Sequence, residues 1–229
     1  MSNFNLPDFF KEVSLFSNMD KSEIEQITKI CVERSFEKGK TIFYEQDQGT
    51  SFYLILSGQV KIVMMSNDGR EHTLGVLKQK DFFGEVSMLD GQPRSATAIA
   101  LSDVKTVTIN RDDFHRILKA NPEMVIKIMY VLCKRLRQAD KHVESLAFLT
   151  ATGRVARTLS NLADELGQVE GNKIIINHNM TRQDFANIAG TSRETFTRVI
   201  MDFQDEGLIE IDKSKIVLLD KKEIQKRIQ

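Results

Sequence analysis

The chain has 229 residues, of which 41% are hydrophobic and 28% are charged. This composition provides enough apolar side chain for a buried core and excludes a disordered chain. The 32 basic residues equal the 32 acidic residues, so a protein that binds polyanions through its overall charge is also excluded. Aliphatic runs such as 216–219 are far shorter than the roughly 20 residues that cross a bilayer.

The N-terminus and the cysteines both indicate a cytoplasmic protein with no membrane partner. The first 20 residues contain scattered charges, without the basic start and apolar stretch of a secretory signal. Cys31 and Cys133 lie far apart and match no metal-ligand spacing, so we expect no metal. A disulfide between them stays open as an alternative, although a reducing cytosol disfavours it.

The first half of the chain predicts two helical pieces within 1–31, followed by a sheet domain. Apolar residues recur at helical intervals before residue 31, and short apolar segments then alternate with glycines up to about residue 110. Frequent turn signals predict an antiparallel sandwich or barrel, and Asn67-Asp68-Gly69 predicts a tight hairpin turn. The predicted strands are 41–44, 52–56, 60–64, 72–74, 97–100 and 104–109.

A long helix is predicted from Pro122 onward, because Asn121 is a good N-cap and proline favours the first helical position. Its apolar residues are spaced alternately by four and three, which is the heptad pattern of a coiled coil. This seam favours a parallel homodimer; a helix packed on its own domain is the alternative, but it would show a wider apolar stripe. The seam residues are Val125, Met129, Leu132, Leu136, Ala139, Val143 and Leu146.

The C-terminal part indicates a winged helix-turn-helix, a fold that binds double-stranded DNA. It contains two short helices separated by a glycine-containing turn and followed by a β-hairpin. A longer helix that ends at Gly167 comes first. The predicted segments are helices at about 181–188 and 192–206, strands at 208–211 and 216–219, and a turn at 212–214.

The start of the second short helix carries the side chains suited to reading bases. Thr191 and Glu194 have the spacing of a capping box, which places the helix start at Thr191. A recognition helix enters the major groove by its N-terminal end, where arginine can pair with guanine and glutamate with cytosine. The candidate base-contacting residues are Arg193, Glu194 and Arg198, and Ser192 and Thr197 are further candidate DNA-binding residues of the same helix.

The preceding helix begins at Thr181 and Arg182, which are placed to bind phosphate. Residues 151–229 hold 12 basic and 12 acidic residues, so binding must depend on placement, and acids near 202–206 should stay off the DNA. The alternative is a solvated helix face in which Glu194 and Arg198 form a weak ion pair.

The sheet domain contains a possible anion site between Gly84 and Ser95. Gly84 allows a close backbone approach, the next turn offers N–H groups, and Arg94 and Ser95 suit phosphate. Glu85, followed by Val86, would then accept from a ribose hydroxyl while pairing with Arg94. One phosphate and one sugar hydroxyl describe a cyclic nucleotide, whereas a surface loop with a structural ion pair is the alternative.

The whole chain resembles the Crp/Fnr family of bacterial transcription regulators, in particular its cyclic-AMP-binding members. The resemblance implies an α+β protein with a jelly-roll sensor domain at 1–121, a dimerisation helix at 122–150 and a DNA-binding domain at 151–229. It also implies palindromic DNA with half-sites like TGTGA. The shared motifs are Phe83-Gly84-Glu85, Arg94-Ser95-Ala96, Leu146-Ala147-Phe148-Leu149, Thr152-Gly153-Arg154, Thr181-Arg182-Gln183 and Ser192-Arg193-Glu194-Thr195.

The long helix departs from the family where its members contact adenine with a Thr-Ser pair. This chain has Ala139 and Asp140 at those positions, so the hydroxyls are missing. The carboxylate of Asp140 could accept from both N1–H and N2–H₂ of guanine. Cyclic AMP remains the first expectation, a guanine cyclic nucleotide is the second, and a ligand-independent regulator with a vestigial pocket is a further alternative.

In the expected mechanism, ligand binding shifts the population of dimers that hold their recognition helices about 34 Å apart, one turn of DNA. RNA polymerase is an expected partner of an activator, and the loop expected at 164–171 is a possible contact. Two cysteines and four scattered histidines favour neither the iron–sulfur nor the haem branch of the family. The sequence shows no nucleophile–base pair and no Walker loop, so we do not expect an enzyme.

Overall fold

The computed structural model describes residues 5–212 and 214–228. The chain forms two compact units, one built from residues up to 64 with 75–137, and the other from 65–74 with residues 138 onward. Helices and antiparallel sheets occur in both units, which confirms the predicted α+β class. Among the described residues, no helix combines the length and hydrophobicity needed to cross a bilayer.

Short helices and strands alternate before the long helix. The helices are α1 (Leu6–Glu12), α2 (Lys21–Ile30), α3 (Glu85–Asp90) and α4 (Arg111–Ala120), with a 3₁₀ turn at Ser14–Phe16. The strands are β1 (Val32–Phe36), β2 (Thr41–Phe43), β3 (Ser51–Ser57), β4 (Val60–Met65), β5 (Glu71–Leu77), β6 (Phe82–Phe83), β7 (Thr97–Ala100) and β8 (Val104–Asn110).

The strands form two four-stranded sheets, as the sandwich prediction requires. One has the order β1-β8-β3-β6 and the other β2-β7-β4-β5. The main core lies between the first sheet and the helices and combines aliphatic side chains with several phenylalanines, of which Phe52 stacks on Phe114 at 4.9 Å. Gly69 has a left-handed φ of 81° in the predicted β4–β5 turn, and its N–H bonds to the carbonyl of Ser66.

Three elements of this unit were not predicted: β1, β6 and α4. Strand β1 contains Glu33 and Arg34 and lies at a sheet edge, so it lacks the apolar alternation of an inner strand. Helix α4 has a clear cap, because the Asn110 side chain accepts from the Asp113 N–H at 2.9 Å. Only Phe114 and Ile117 are buried along it, too few to reveal the helical period.

Helix α5 (Pro122–Phe148) has two distinct faces. Met124 and Ile128 are buried in the core of the first unit, as the alternative of a self-packed helix requires. The centre of the seam is open in the single chain, because Met129, Leu136 and Val143 are 57–66% exposed. The helix is confirmed, and its dimerisation stays a prediction.

The second unit contains the predicted winged helix-turn-helix and extends it by one hairpin and one helix. Gly167 ends α6, as predicted. The elements are α6 (Ala151–Leu166), β9 (Gly167–Glu170), β10 (Lys173–Asn177), α7 (Arg182–Ala189), α8 (Arg193–Asp205), β11 (Ile209–Asp212), β12 (Lys215–Leu218) and α9 (Lys221–Lys226).

Two details of the prediction for this unit are wrong. The segment 164–171 is not a loop, because it contains the end of α6 and strand β9, which pairs with β10 in the sheet β11-β12-β10-β9. The recognition helix starts one residue later than expected, since Ser192 rather than Thr191 is its N-cap and accepts from the Thr195 N–H at 3.1 Å. Lys213 of the expected turn and residues 1–4 lie outside the described residues.

Candidate functional sites

Gly84 forms the corner between β6 and α3, and its position requires glycine for two reasons. Its φ of 79° lies in the left-handed region, which other residues rarely adopt. A Cβ atom at this position would also lie 2.7 Å from Nη1 of Arg94 and 3.0 Å from the carbonyl oxygen of Ser51. The glycine therefore lets the backbone reach the Arg94 guanidinium.

Arg94 is a buried cation, with 3% of its surface exposed. Its Nη1 donates to the Gly84 carbonyl at 2.8 Å and to Ser87 Oγ at 3.1 Å, and its Nη2 donates to the Ser51 carbonyl at 2.7 Å. The guanidinium also lies over the Phe43 ring at 4.2 Å. Within the described part of the chain, Nε has no partner, and no carboxylate forms an ion pair with this side chain.

The surroundings act on the Arg94 charge in opposite directions. Burial lowers the pKa of its guanidinium, while Tyr53, Glu85 and Asp47 act to raise it. Burial likewise raises the pKa of Tyr53. Burial removes water from this guanidinium, and an anion that reached it would supply a stabilising opposite charge.

Glu85 is 1% exposed, and its partner is not the predicted one. We expected an ion pair with Arg94, but the carboxylate pairs with Arg135 of α5 at 2.5 Å. Arg135 lies two turns beyond the buried Ile128 on the same face of α5, and it also donates to the Phe82 carbonyl at 2.6 Å. The second carboxylate oxygen of Glu85 is buried without a partner in the described residues.

The structure thus brings together Gly84, Glu85 and Arg94, and it adds two residues that the sequence analysis did not select. Ser87 is buried beside Arg94, and Arg135 holds Glu85. The signal for Arg135 was available, because a charged residue on the buried stripe of a helix requires a partner.

The remaining predicted ligand residues are more exposed or lie in the other unit. Val86 is half-buried, and Ser95 is exposed. Ala139 and Asp140 are exposed on α5, in the part of the helix that belongs to the second unit. Among the described residues, no group of three or more His, Cys, Asp or Glu side chains is arranged to hold a metal ion.

The candidate DNA-contacting residues lie at the start of α8. Ser192 caps this helix, and Arg193, Glu194 and Arg198 are exposed along its first two turns. Thr197 is half-buried and donates to the Arg193 carbonyl at 2.7 Å. A surface groove is lined by Arg193, Glu194, Thr197, Arg198, Met201 and Asp202.

The ion pair on this face differs from the Glu194–Arg198 pair expected of a solvated helix face. Arg198 pairs with Asp202 at 3.9 Å rather than with Glu194. A bond to its own backbone, followed by one from Ser192, lowers the pKa of the Glu194 carboxyl. Arg193 is exposed, the Glu194 carboxylate is bonded at the helix start, and Asp202 competes for Arg198.

At the start of α7, the Thr181 hydroxyl accepts from the Asp184 N–H at 3.2 Å and donates to its carboxylate at 2.7 Å. Arg182, the next residue, is half-buried. Helix α7 packs on α8 through stacked rings of Phe185 and Phe196, with centroids 5.4 Å apart.

Arg154 of α6 stabilises the turn between α7 and α8, a role that the sequence analysis missed. Its guanidinium donates to the Ala189 carbonyl at 3.0 Å, to the Gly190 carbonyl at 3.2 Å and to the Leu149 carbonyl at 2.9 Å. Gly190 has a φ of 60° and ends α7. The turn is thus fixed by a side chain from outside the motif.

Comparison with known proteins agrees with this division into two sites. A cyclic nucleotide-binding domain matches residues 33–121, and a Crp-like helix-turn-helix domain matches residues 153–227. A CRP-like cAMP-activated global transcriptional regulator of Mycobacterium tuberculosis is 31% identical over 97% of this chain and 99% of its own. A cyclic AMP receptor protein of Thermus thermophilus is 34% identical over 86% of this chain and 88% of its own.

Among solved structures, a c-di-GMP-responsive global regulator of Xanthomonas campestris is 25% identical, with a TM-score of 0.71 over 87% of this chain and 99% of its own. The relatives and the matched domains are those of transcription regulators rather than enzymes. The open polar atoms of the first site and the exposed arginines of the second fit such a regulator. The chain belongs to the Crp/Fnr family of DNA-binding transcription regulators and carries a cyclic nucleotide-binding domain.

Proposed function

We propose that this chain is a cyclic-AMP-responsive regulator that binds palindromic DNA as a homodimer. Residues 1–121 bind the nucleotide, residues 122–150 form the dimer interface and residues 151–229 bind DNA. The observation that carries the proposal is that two buried polar atoms of one site have no hydrogen-bond partner among the described residues. These atoms are Nε of Arg94 and the second carboxylate oxygen of Glu85.

The two atoms without partners suit the phosphate and the ribose hydroxyl of a cyclic nucleotide. Arg94 has no carboxylate partner among the described residues, so a phosphate would neutralise it. Glu85 is an acceptor, and a ribose hydroxyl would satisfy its free oxygen. Because Arg135 already neutralises the Glu85 carboxylate, the phosphate would not face an uncompensated negative charge.

Two base identities are considered for the ligand, adenine and guanine. The two cAMP-related names among the relatives support cyclic AMP. Asp140 supports a guanine cyclic nucleotide as the second candidate, because an exposed carboxylate can accept from both N1–H and N2–H₂ of guanine. In the proposal, Ala139 and Asp140 contact the base, and Ser95 and Val86 complete the phosphate site.

Calorimetry with cyclic AMP and cyclic GMP tests the ligand site. Arg94→Met should weaken cyclic AMP binding by about 100-fold, or about 2.7 kcal/mol, because it removes the phosphate cation. Arg116→Met, which removes an exposed arginine of the same unit, is the control and should leave binding unchanged. Equal binding by both variants, with both folded by circular dichroism, would contradict the proposed site.

Asp140→Ala separates the two ligands in the same experiment. If the carboxylate reads guanine, the variant loses cyclic GMP affinity and keeps cyclic AMP affinity. If both affinities ignore the substitution, Asp140 has no part in base recognition.

For DNA, we propose that Arg193 and Glu194 read base edges in half-sites like TGTGA, with Arg198 further along the groove. Ser192 and Thr197 support the helix start, and Thr181 and Arg182 bind phosphate. Arg193→Ala should cost about 1–3 kcal/mol and relax the choice of one guanine per half-site. Arg182→Ala should instead weaken specific and random DNA alike; if Arg193→Ala did the same, its base-reading role would be wrong.

A further inference from the structure

Two histidines of the second unit face each other where the β4–β5 hairpin meets α5. The ring centroids of His72 and His142 are 4.6 Å apart, and the ring planes are inclined by 39°. The Nε2 atom of each ring is buried and has no hydrogen-bond partner in the described residues. Neither ring belongs to the nucleotide or DNA site described above.

This contact fixes the hairpin tip on the helix-turn-helix. The His72 ring bonds to the backbone of Asn187 in α7, and the Asn187 side chain donates to Glu71 Oε1 at 3.0 Å. His142 lies one turn before Leu146, which packs so closely that a Cβ on Gly190 would lie 2.6 Å from it. Residues 71 and 72 therefore contact both α5 and α7.

The charged groups around the histidine pair give it little support as a cation. Arg154 of α6 and the second imidazole both act against a positive charge on His142. Glu71, on the hairpin, accepts from the side chain of Asn187, a neutral residue of α7. Burial is the largest influence on both rings, and it lowers the pKa of each imidazole below its ordinary value of 6.5.

We propose that His72 and His142 form a proton-sensitive contact that holds the β4–β5 hairpin on the helix-turn-helix and is released in mild acid. Both rings are neutral in the docked state, and adding a proton would place a buried cation beside the other ring and Arg154. A released hairpin exposes both rings to water, where they accept protons readily. This device responds to acid independently of the nucleotide site.

The direction in which pH changes the stability of this contact follows from proton linkage. Above pH 6.5 both states are neutral, so the contact has its full stability. As pH falls below 6.5, the released state binds protons that the docked state does not, and the docked state loses stability until its own lower pKa values are reached.

Hydrogen–deuterium exchange of the full-length chain tests the release. After correction for intrinsic rates, amides of 65–74 should exchange about fivefold faster at pH 5.5 than at pH 7.5 in the wild type. The double variant His72→Gln/His142→Gln should lose this pH dependence. His115→Gln, which removes a histidine of the first unit, should keep it. No acceleration in the wild type, or acceleration that persists in the double variant, overturns the proposal.

Histidine NMR titration of the wild type provides a test that does not depend on the folding of a variant. Both imidazoles should titrate below pH 6.5, and a titration of either ring at or above 6.5 overturns the proposal. In His72→Gln, the pKa of His142 should rise, because the neighbouring imidazole that acts against a positive charge on His142 is removed. An unchanged pKa would show that the rings are not coupled and would likewise contradict the proposal.

Discussion

Arg94 and Glu85 are charged side chains buried in the first unit, and each keeps one polar atom without a partner in the described residues. The rest of their bonds are satisfied by the protein itself, through carbonyls for Arg94 and through Arg135 for Glu85. If these residues bind the proposed nucleotide, most of their bonds are already made by the protein, and two polar atoms remain for the ligand to satisfy. Preformed groups of this kind lower the ordering cost of binding.

Gly84 makes this arrangement possible, and Gly84→Ala should disrupt it. The variant forces a left-handed alanine and a collision with Arg94, so we expect a loss of about 1–3 kcal/mol in unfolding free energy and weaker nucleotide binding. Gly39→Ala is the control, since Gly39 has a φ of 82° with open space around its Cβ position. Denaturant unfolding and calorimetry measure both effects; equal losses in the two variants would show that the collision is unimportant.

Asp202 pairs with Arg198 on the face that we propose reads bases. Asp202→Asn should free Arg198 and remove a repulsive charge, so specific DNA affinity should rise by about two- to fivefold at low salt. Asp205→Asn makes the same charge change on the same helix and serves as the reference. Fluorescence anisotropy with labelled DNA measures the difference, and an equal gain in both variants would assign the effect to net charge alone.

At the scale of elements, the sequence predicted those with a strong period or strong punctuation. The long helix α5, the ending of α6 at Gly167 and the glycine turn between α7 and α8 all appear in the structure. Strand β1 and helix α4 could not be predicted, because one is an exposed edge strand and the other buries only two side chains. Local pattern carries little information where tertiary packing decides the outcome.

The site shows the same division between local and tertiary information. Gly84, Glu85 and Arg94 are close in sequence and were recognised as a motif. Arg135 lies 50 residues from Glu85, and its ion pair depends on how α5 packs in the core. The expected pairing of Glu85 with Arg94 was wrong because sequence proximity could not exclude a closer partner from another element.

The open seam of α5 gives an element-level test of the dimer. Leu136→Glu should convert the dimer to monomers with little loss of fold, since Leu136 is 64% exposed in the single chain. Ile126→Glu is the matched control, because Ile126 is 59% exposed on the same helix but outside the heptad seam. Analytical ultracentrifugation distinguishes them; a monomeric wild type, or a dimeric Leu136→Glu variant, would contradict the assignment of the seam.

For the whole molecule, the balance of 32 basic and 32 acidic residues now has a structural meaning. Arg193 and Glu194 are exposed at the start of α8, while Asp202 and Asp205 lie toward its end. Binding through a small basic area should give a modest salt dependence and leave sequence choice to a few side chains. In the proposed dimer, two such areas held in register would supply the affinity that one lacks.

The most direct test of the account is the affinity of the full-length protein for a TGTGA palindrome with and without cyclic AMP, measured by mobility shift at fixed salt and pH. We predict that cyclic AMP tightens binding to the palindrome at least about tenfold, a difference of about 1.4 kcal/mol, and leaves a scrambled duplex of the same composition unchanged. Equal affinity for the palindrome with and without cyclic AMP would contradict the account.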